Sequence, residues 1–396
     1  MKANEFQTNS CRTIDDILAL VNEIGNSTIS EYAEESDREA RFPEESFDAI
    51  RSNKLLSVYI PIEFGGDGLS ISEVCRICEE LSLHDASTAM IFAMHQIQVA
   101  CIVHHAQDSS FFQSYMRDLV QKQLLIASAT TEIGVGGDLR SSICAVATEN
   151  DRFSLTKKAP VVSYALNADA IMVTCRSDLD AQAANQSMVL AKSGDVKLEQ
   201  IAGWDTLGFR ATCSSGFILS ATGDAKQILA EPFADILEKS MHPVSHLTWG
   251  SVWLGIARCA VEKARQTVRL SARNNPGVTE INAYRLAELN ELLFSMQAGL
   301  YDTIAEYETQ LGQVGSTGAD RFGSSIRINN VKIRCSEMVV EIVMKALQIV
   351  GISGYKNDSQ NSLSRQLRDA CGASLMVNND RIRGHNATMQ IAYKGK

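Results

Sequence analysis

Along residues 14–32 the apolar side chains Ile17, Leu18, Val21 and Ile24 recur at helical spacing. Asp15 and Asp16 stand at the start, where a helix dipole favours acids, so the stretch predicts an amphipathic helix. Phe42-Pro43 places proline in the first turn of a second helix through Ile50, and Phe64-Gly65-Gly66-Asp67-Gly68 marks a tight turn. Ser70 precedes a helix over residues 71–83, and Asp85 to Thr88 can cap another over residues 89–105. In that helix His95, Gln96 and Gln98 sit among Ile91, Phe92, Val99 and Ile102, the pattern of a largely buried rod.

From residue 124 the period changes. Short apolar or alternating runs at residues 124–129, 153–155, 161–164, 170–174, 188–191 and 216–220 predict strands, separated by turn signals at Gly136-Gly137, Glu149 to Asp151 and Ser193-Gly194. After Pro243 helical spacing returns over residues 247–271, 283–311 and 326–350, each long enough for one rod of a bundle, with breaks at 274–277 and 312–323. A further helix is expected over residues 363–375, followed by a polar end from Met376 to Asn386. Three domains follow: a helical domain over 1–125, a β domain over 126–235 and a helical bundle over 236–396.

With 396 residues, 45% of them hydrophobic, the chain can bury a large core, and its six prolines leave room for long helices. The formal charge of −10 argues against a nucleic-acid platform and against attraction to anionic lipid. The amino terminus lacks a basic segment followed by an apolar run, and no uninterrupted apolar stretch is long enough for a membrane span, so the expected location is cytoplasmic. Ten cysteines without scaffold spacing are expected as reduced core residues; the single Cys75/Cys78 pair lacks a second pair of ligands, so no metal centre is expected.

The stretch from Ser128 to Asp138 carries the densest candidate chemistry. Gly134, Gly136 and Gly137 can adopt positive φ and bring backbone N–H groups against a flat or anionic ligand, while Thr130, Thr131 and Asp138 supply polar contacts.

A helical domain, a small β domain and a four-helix bundle, with this glycine loop at the first boundary, resemble the acyl-CoA dehydrogenase superfamily of flavoproteins. The resemblance spans nearly the whole chain. Its anchors are Pro61 to Gly68, Thr131 to Asp138, Gly208-Phe209-Arg210, Gln348 to Gly351 with Gly354-Tyr355, and Arg368-Asp369-Ala370. It implies a mostly α, α+β fold: an amino-terminal helical domain, a middle β-barrel and a carboxyl-terminal four-helix bundle.

The resemblance further implies FAD between the β domain and the bundle, with Ser128, Thr130 and Thr131 beside the flavin pyrimidine and Gly136 and Gly137 bordering the pyrophosphate. The family's Trp-Ile-Thr strand falls on Val161-Val162-Ser163, so Val161 replaces the stacking aromatic and Ser163 keeps the hydroxyl. Gln348 and Gly351 fall where a neighbouring subunit meets the adenine half, which implies a homodimer or homotetramer.

The family reaction takes a proton from the α-carbon of an acyl thioester and a hydride from its β-carbon, and it uses a carboxylate base. Here the usual glutamate position falls on Val377, followed by Asn378-Asn379, with Asn379 on the cofactor side. The alternative base position falls on or near Ser245, next to His246. The candidates to replace the base are Asp380, His246 and His95.

The function this implies is FAD-dependent dehydrogenation of an acyl thioester carried by coenzyme A or by an acyl carrier protein, in specialised biosynthesis. The alternative is a flavin-dependent monooxygenase of the same fold, fed reduced flavin by a partner reductase, in which His95 and Ser163 steer the chemistry. A third is a binding protein that keeps the fold without turnover. The electron acceptor and any reductase stay open.

Overall fold

The computed structural model describes residues 12–274, 276–277, 281–311 and 318–393. Six helices come first: α1 (Ile14–Ile24), α2 (Ser30–Glu39), α3 (Glu44–Ser52), α4 (Ile71–His84), α5 (Ala86–His105) and α6 (Ser110–Lys122). Their starts follow local chemistry. Thr13 and Asp16 close a capping box on α1, Ser70 and Glu73 close another on α4, and the Asp85 carboxylate accepts from the Thr88 amide to open α5. The first expected helix is in fact two, α1 and α2, joined by a π-helical turn over Gly25–Ile29, and α6 was not foreseen. By length and composition α5 could cross a membrane, but nearly all of it is buried within the fold, so it serves as the core helix of this domain.

Among the described residues seven strands form two small sheets. In the first, β1 (Ile126–Ala129) pairs parallel with β4 (Ala170–Arg176), which pairs antiparallel with β5 (Gln186–Lys192). The second is antiparallel in the order β2 (Ala147–Glu149), β3 (Arg152–Ala159), β7 (Gly216–Asp224) and β6 (Val196–Ala202). Residues 161–164, expected as a strand, form a turn instead. Pro160 has no N–H to continue the ladder of β3, and Tyr164 takes φ +41. The turn is tied to the loop before β7, where the Ser215 carbonyl accepts from the Val162 amide and the Thr212 carbonyl from the Tyr164 amide.

Strand β3 alternates outward and inward, and its third inward side chain is Lys157. The Lys157 Nζ lies 3.6 Å from the buried Glu132 carboxylate and donates to the Thr174 carbonyl at 2.7 Å. Glu132 in turn accepts from Ser142 Oγ and from the amides of Ile143 and Cys144, fixing the far side of the glycine loop. Removing one member of a buried pair strands the other's charge. Lys157→Met is therefore expected to cost about 3 kcal/mol of stability, read as a lowered midpoint in urea unfolding; an unchanged midpoint would show that the pair contributes nothing.

The last third is helical: α7 (Phe233–Ile236), α8 (His242–Asn274), α9 (Ile281–Leu311), α10 (Gly318–Val350), α11 (Ile352–Tyr355), α12 (Ser364–Gly372) and α13 (Asn379–Ala392). The rods begin five and eight residues earlier than expected at α8 and α10. The expected breaks at 274–277 and 312–323 fall partly outside the described residues. Helix α8 is buried along most of its first six turns against α4, α5 and α10. At Gly255 a Cβ would stand 2.4 Å from the Glu79 carbonyl, so only glycine permits this approach of α8 to α4.

Helix α12 locks the three regions together. Arg365 pairs with Asp85 at 2.6 Å and Arg368 with Asp37 at 2.5 Å, while the buried Asp369 accepts from the Phe209 amide at 2.6 Å. Two of the sequence anchors thus meet in space, and a Cβ at Gly208 would run into the Arg368 carbonyl at 2.2 Å. Burial pushes the Asp369 carboxyl up to about 7. This junction fixes where the segment from Ala373 to Asn378, between α12 and α13, must run.

Candidate active site

The glycine loop leaves β1 and crosses toward α13. Gly134, Gly136 and Gly137 have φ of +102, +61 and +76, the left-handed region that other residues avoid. In a turn of this kind successive backbone N–H groups can point into one anion-binding concavity. The amides of Gly136 and Gly137 meet no acceptor among the described residues, while their carbonyls accept from the Arg381 guanidinium. Arg381, in the first turn of α13, thereby adds a positive charge beside the loop. Sequence reading missed it because 244 residues separate it from Gly137.

The hydroxyls around the loop are already organised. Thr131 Oγ1 donates to the Val161 carbonyl at 2.8 Å, and the Ser163 and Ser214 hydroxyls are 2.7 Å apart, with Thr212 Oγ1 2.8 Å from Ser214. Ser128 on β1 and Thr130 beyond it are half-buried. The Thr131 bond ties the start of the glycine loop to Val161, two residues before Ser163. Free loop amides, an adjacent guanidinium, half-buried hydroxyls and an apolar Val161 match the needs of a flavin with its diphosphate, and the residues fit the group.

Gln348 and Gly351 lie elsewhere. They end α10, with Gln348 exposed and Gly351 at φ +70, and neither bonds to the glycine loop within the chain. Asn379 also turns away from the loop. Its amide is spent inside the bundle, accepting from Lys332 Nζ at 2.7 Å and donating to Ser336 Oγ at 3.0 Å.

The three candidate bases differ sharply. His95 is wholly buried, with Nε2 2.8 Å from the Leu56 carbonyl and Nδ1 accepting from the Ile126 amide at 3.0 Å. Both nitrogens hold backbone, burial depresses the ring to about 4, and no lone pair is left for a substrate proton. Asp380 opens α13 with its side chain 89% exposed, 3.4 Å from Arg383. Such a carboxylate is solvated, and it faces away from the bundle.

His246 is different. It is buried on α8, its ring 4.4 Å from that of His242, and its Nδ1 has no partner among the described residues. The Ile328 backbone beside the ring favours its protonated form. With Nδ1 unpartnered, the tautomer that carries its proton on Nε2 leaves the Nδ1 lone pair unused. Burial first, then the neighbouring His242 and Lys332, depress the ring well below the usual histidine range. The neutral form persists across physiological pH.

Around His246 the bundle holds further polar groups. His242 Nε2 is 2.8 Å from Asn329 Oδ1, Asn329 donates to Asn386 Oδ1 at 2.8 Å, and Lys332 Nζ donates to the Val377 carbonyl at 2.9 Å. Val377 has φ +47, a rare conformation for a β-branched residue. Arg140, just past the glycine loop, acts electrostatically on His242 and lowers its proton affinity.

Sequence comparison decides the lineage of this architecture. The pattern of the acyl-CoA dehydrogenase N-terminal domain matches residues 13–123, and that of the acyl-CoA dehydrogenase C-terminal domain matches residues 243–376. The two take in more than half of the sequence. The chain belongs to the acyl-CoA dehydrogenase family.

Members of this family are flavoenzymes, and the helical, sheet and helical regions here follow the family's fold. The chain is 22% identical to the 3-(aryl)acrylate reductase of Clostridium sporogenes, over 89% of this chain and 91% of the relative. It is 24% identical to the probable FMNH2-dependent monooxygenase SfnC of Pseudomonas putida, over 84% and 85% of the two chains. Among solved structures, FMN-bound TdsC from Paenibacillus sp. A11-2 superposes with a TM-score of 0.82 at 20% identity, covering 95% of this chain and 97% of that one. At that identity the likeness shows the shared fold.

Proposed function

We propose that this acyl-CoA dehydrogenase family member is an FAD-dependent dehydrogenase of an acyl thioester, carried by coenzyme A or an acyl carrier protein, with His246 in place of the family's carboxylate base. The observation that carries this reading is the buried, unpartnered Nδ1 of His246, on the turn of α8 where the alternative base is expected. Bound flavin supplies a two-electron acceptor for the hydride leaving the β-carbon.

The chain's own residues do the rest. His246 Nδ1 receives the α-proton, the Ile328 carbonyl holds the opposite N–H, and His242 packs against the ring's edge. The loop amides of Gly136 and Gly137, with Arg381 beside them, hold the diphosphate; Thr131 and Ser163 border the flavin edge. Val377 presents an apolar side chain where the family's glutamate stands, so that position offers no carboxylate.

One observation favours a second reading. Neither Val377 nor Ser245 offers a carboxylate, and a flavin-dependent monooxygenase needs no base for an α-proton. The likeness to SfnC, named as FMNH2-dependent, supports that alternative.

The visible spectrum of the purified protein, followed by titration with oxidised FAD and with anaerobically reduced FAD, separates the two. Near-stoichiometric binding of oxidised FAD, with bleaching of its band by butyryl-CoA or its acyl-carrier-protein equivalent, is expected for the dehydrogenase. Preference for reduced flavin would move the assignment to the monooxygenase, and binding of neither form would overturn both.

A further inference from the structure

We propose that Lys332 is a positioning residue that acts through His246: the charge on its amine governs how readily the imidazole accepts a proton. This rests on the reading of His246 as the proton acceptor.

The geometry is a ladder between α8 and α10. His242 meets Asn329 and His246 meets Ile328; Lys332 is one helical turn farther along the same face of α10. Its Nζ lies 5.7 Å from the ring centre of Trp253, which stands two turns beyond His246 on α8. Lys332 has no solvent exposure, and a lysine within the apolar stripe of Ile328, Val331, Cys335 and Val339 is the sequence signal that reading by period alone passed over.

The hydrogen bonding leaves one proton free. An ammonium has three N–H groups, and Lys332 uses two, on the Val377 carbonyl and on Asn379 Oδ1. Loss of the third leaves a neutral amine that can still make both bonds, so the charge changes while the segment before α13 stays in place.

The charged surroundings favour that loss. Facing groups are His246 from α8, Glu337 from α10 itself and Arg383 from α13; His242 lies beyond His246, with Arg140, just past the glycine loop, and His385 of α13 acting on it. Among the charged neighbours only Glu337 favours the ammonium, alongside the two carbonyl acceptors and the Trp253 ring face. Burial is the largest influence and, with Arg383, brings the amine down to about 7.

The consequence has a definite sign. Below pH 7 the protonated amine opposes a second cation on His246; above it the opposition disappears and the imidazole accepts a proton more readily. The neutral-amine fraction falls from about one half at pH 7 to about one tenth at pH 6, so substrate-driven flavin reduction is expected to weaken severalfold over that unit. The apparent midpoint belongs to Lys332, while His246 stays neutral throughout.

The test is histidine-selective 13C/15N NMR of the flavin-loaded protein between pH 5.5 and 9. The expected His246 signal is that of a neutral ring with an unprotonated Nδ1, shifting in one step near pH 7, and the step is absent in Lys332→Met. A flat His246 signal in the unmodified protein, or the same step in Lys332→Met, would overturn the proposal. Asn379→Asp sets a carboxylate against the amine and is expected to move the step upward by about one pH unit or more; an unmoved step would also overturn it. The readings separate cleanly. Full flavin reduction by His246→Gln removes the acceptor role itself, whereas an inactive His246→Gln together with a flat His246 signal in the unmodified protein removes only Lys332.

Discussion

Gly137→Asp is expected to abolish flavin binding while leaving a folded protein. At φ +76 any side chain is strained, and a Cβ would sit 2.6 Å from Arg381 Nη1, so the guanidinium must move. The new carboxylate would then stand where the diphosphate is proposed to lie and would compete for Arg381. Two unit charges 4 Å apart at a protein surface repel by about 4 kcal/mol, enough for a loss of roughly a thousandfold in affinity.

Gly136→Ala is the matched control. Nothing lies within 4 Å of its Cβ, and its φ of +61 costs only the left-handed strain. Equilibrium titration with oxidised FAD, beside thermal melts of both variants, checks the prediction. A folded Gly137→Asp protein that keeps its FAD would remove the loop from the cofactor site.

His246→Gln is expected to lower the rate of flavin reduction by a factor of about 10² to 10⁴ without changing flavin content, the range a positioned general base contributes. Glutamine fills similar volume and can still donate to the Ile328 carbonyl, but it has no basic lone pair to replace Nδ1. Asp380→Asn should stay within about twofold of the parent, because its carboxylate is solvated and paired with Arg383. Anaerobic stopped-flow at the flavin band measures both. Near-parent reduction by His246→Gln would return the search to the other polar groups of the bundle.

What could be read from the chain was local. The acids Asp15 and Asp16 and the caps at Ser70 and Asp85 set helix starts within a few residues, the all-round apolar run of α5 predicted its burial, and the three glycines predicted a left-handed loop. Each depends on neighbours a few positions away, so side-chain type and spacing were sufficient. Where local rules competed they failed: residues 161–164 have strand composition, yet Pro160 before them and the left-handed Tyr164 make a turn.

The partners of buried polar groups were decided by the tertiary structure. By residue type and helical pattern alone His95 and His246 look alike, and only the resemblance set His246 beside the alternative base position. The fold supplies the Leu56 carbonyl and the Ile126 amide to occupy both nitrogens of the first, and only the Ile328 backbone for the second.

Lys332 and Arg381 carry no motif at all. Their roles depend on Val377, 45 residues away, and on Gly137, 244 residues away. Helix and turn formation respond to the nearest residues in the chain, whereas the charge, proton affinity and free lone pairs of a buried side chain depend on what packing brings against it from any distance. The amino-acid pattern therefore determined the elements and the family's architecture, and tertiary packing determined which of its nitrogens can do chemistry.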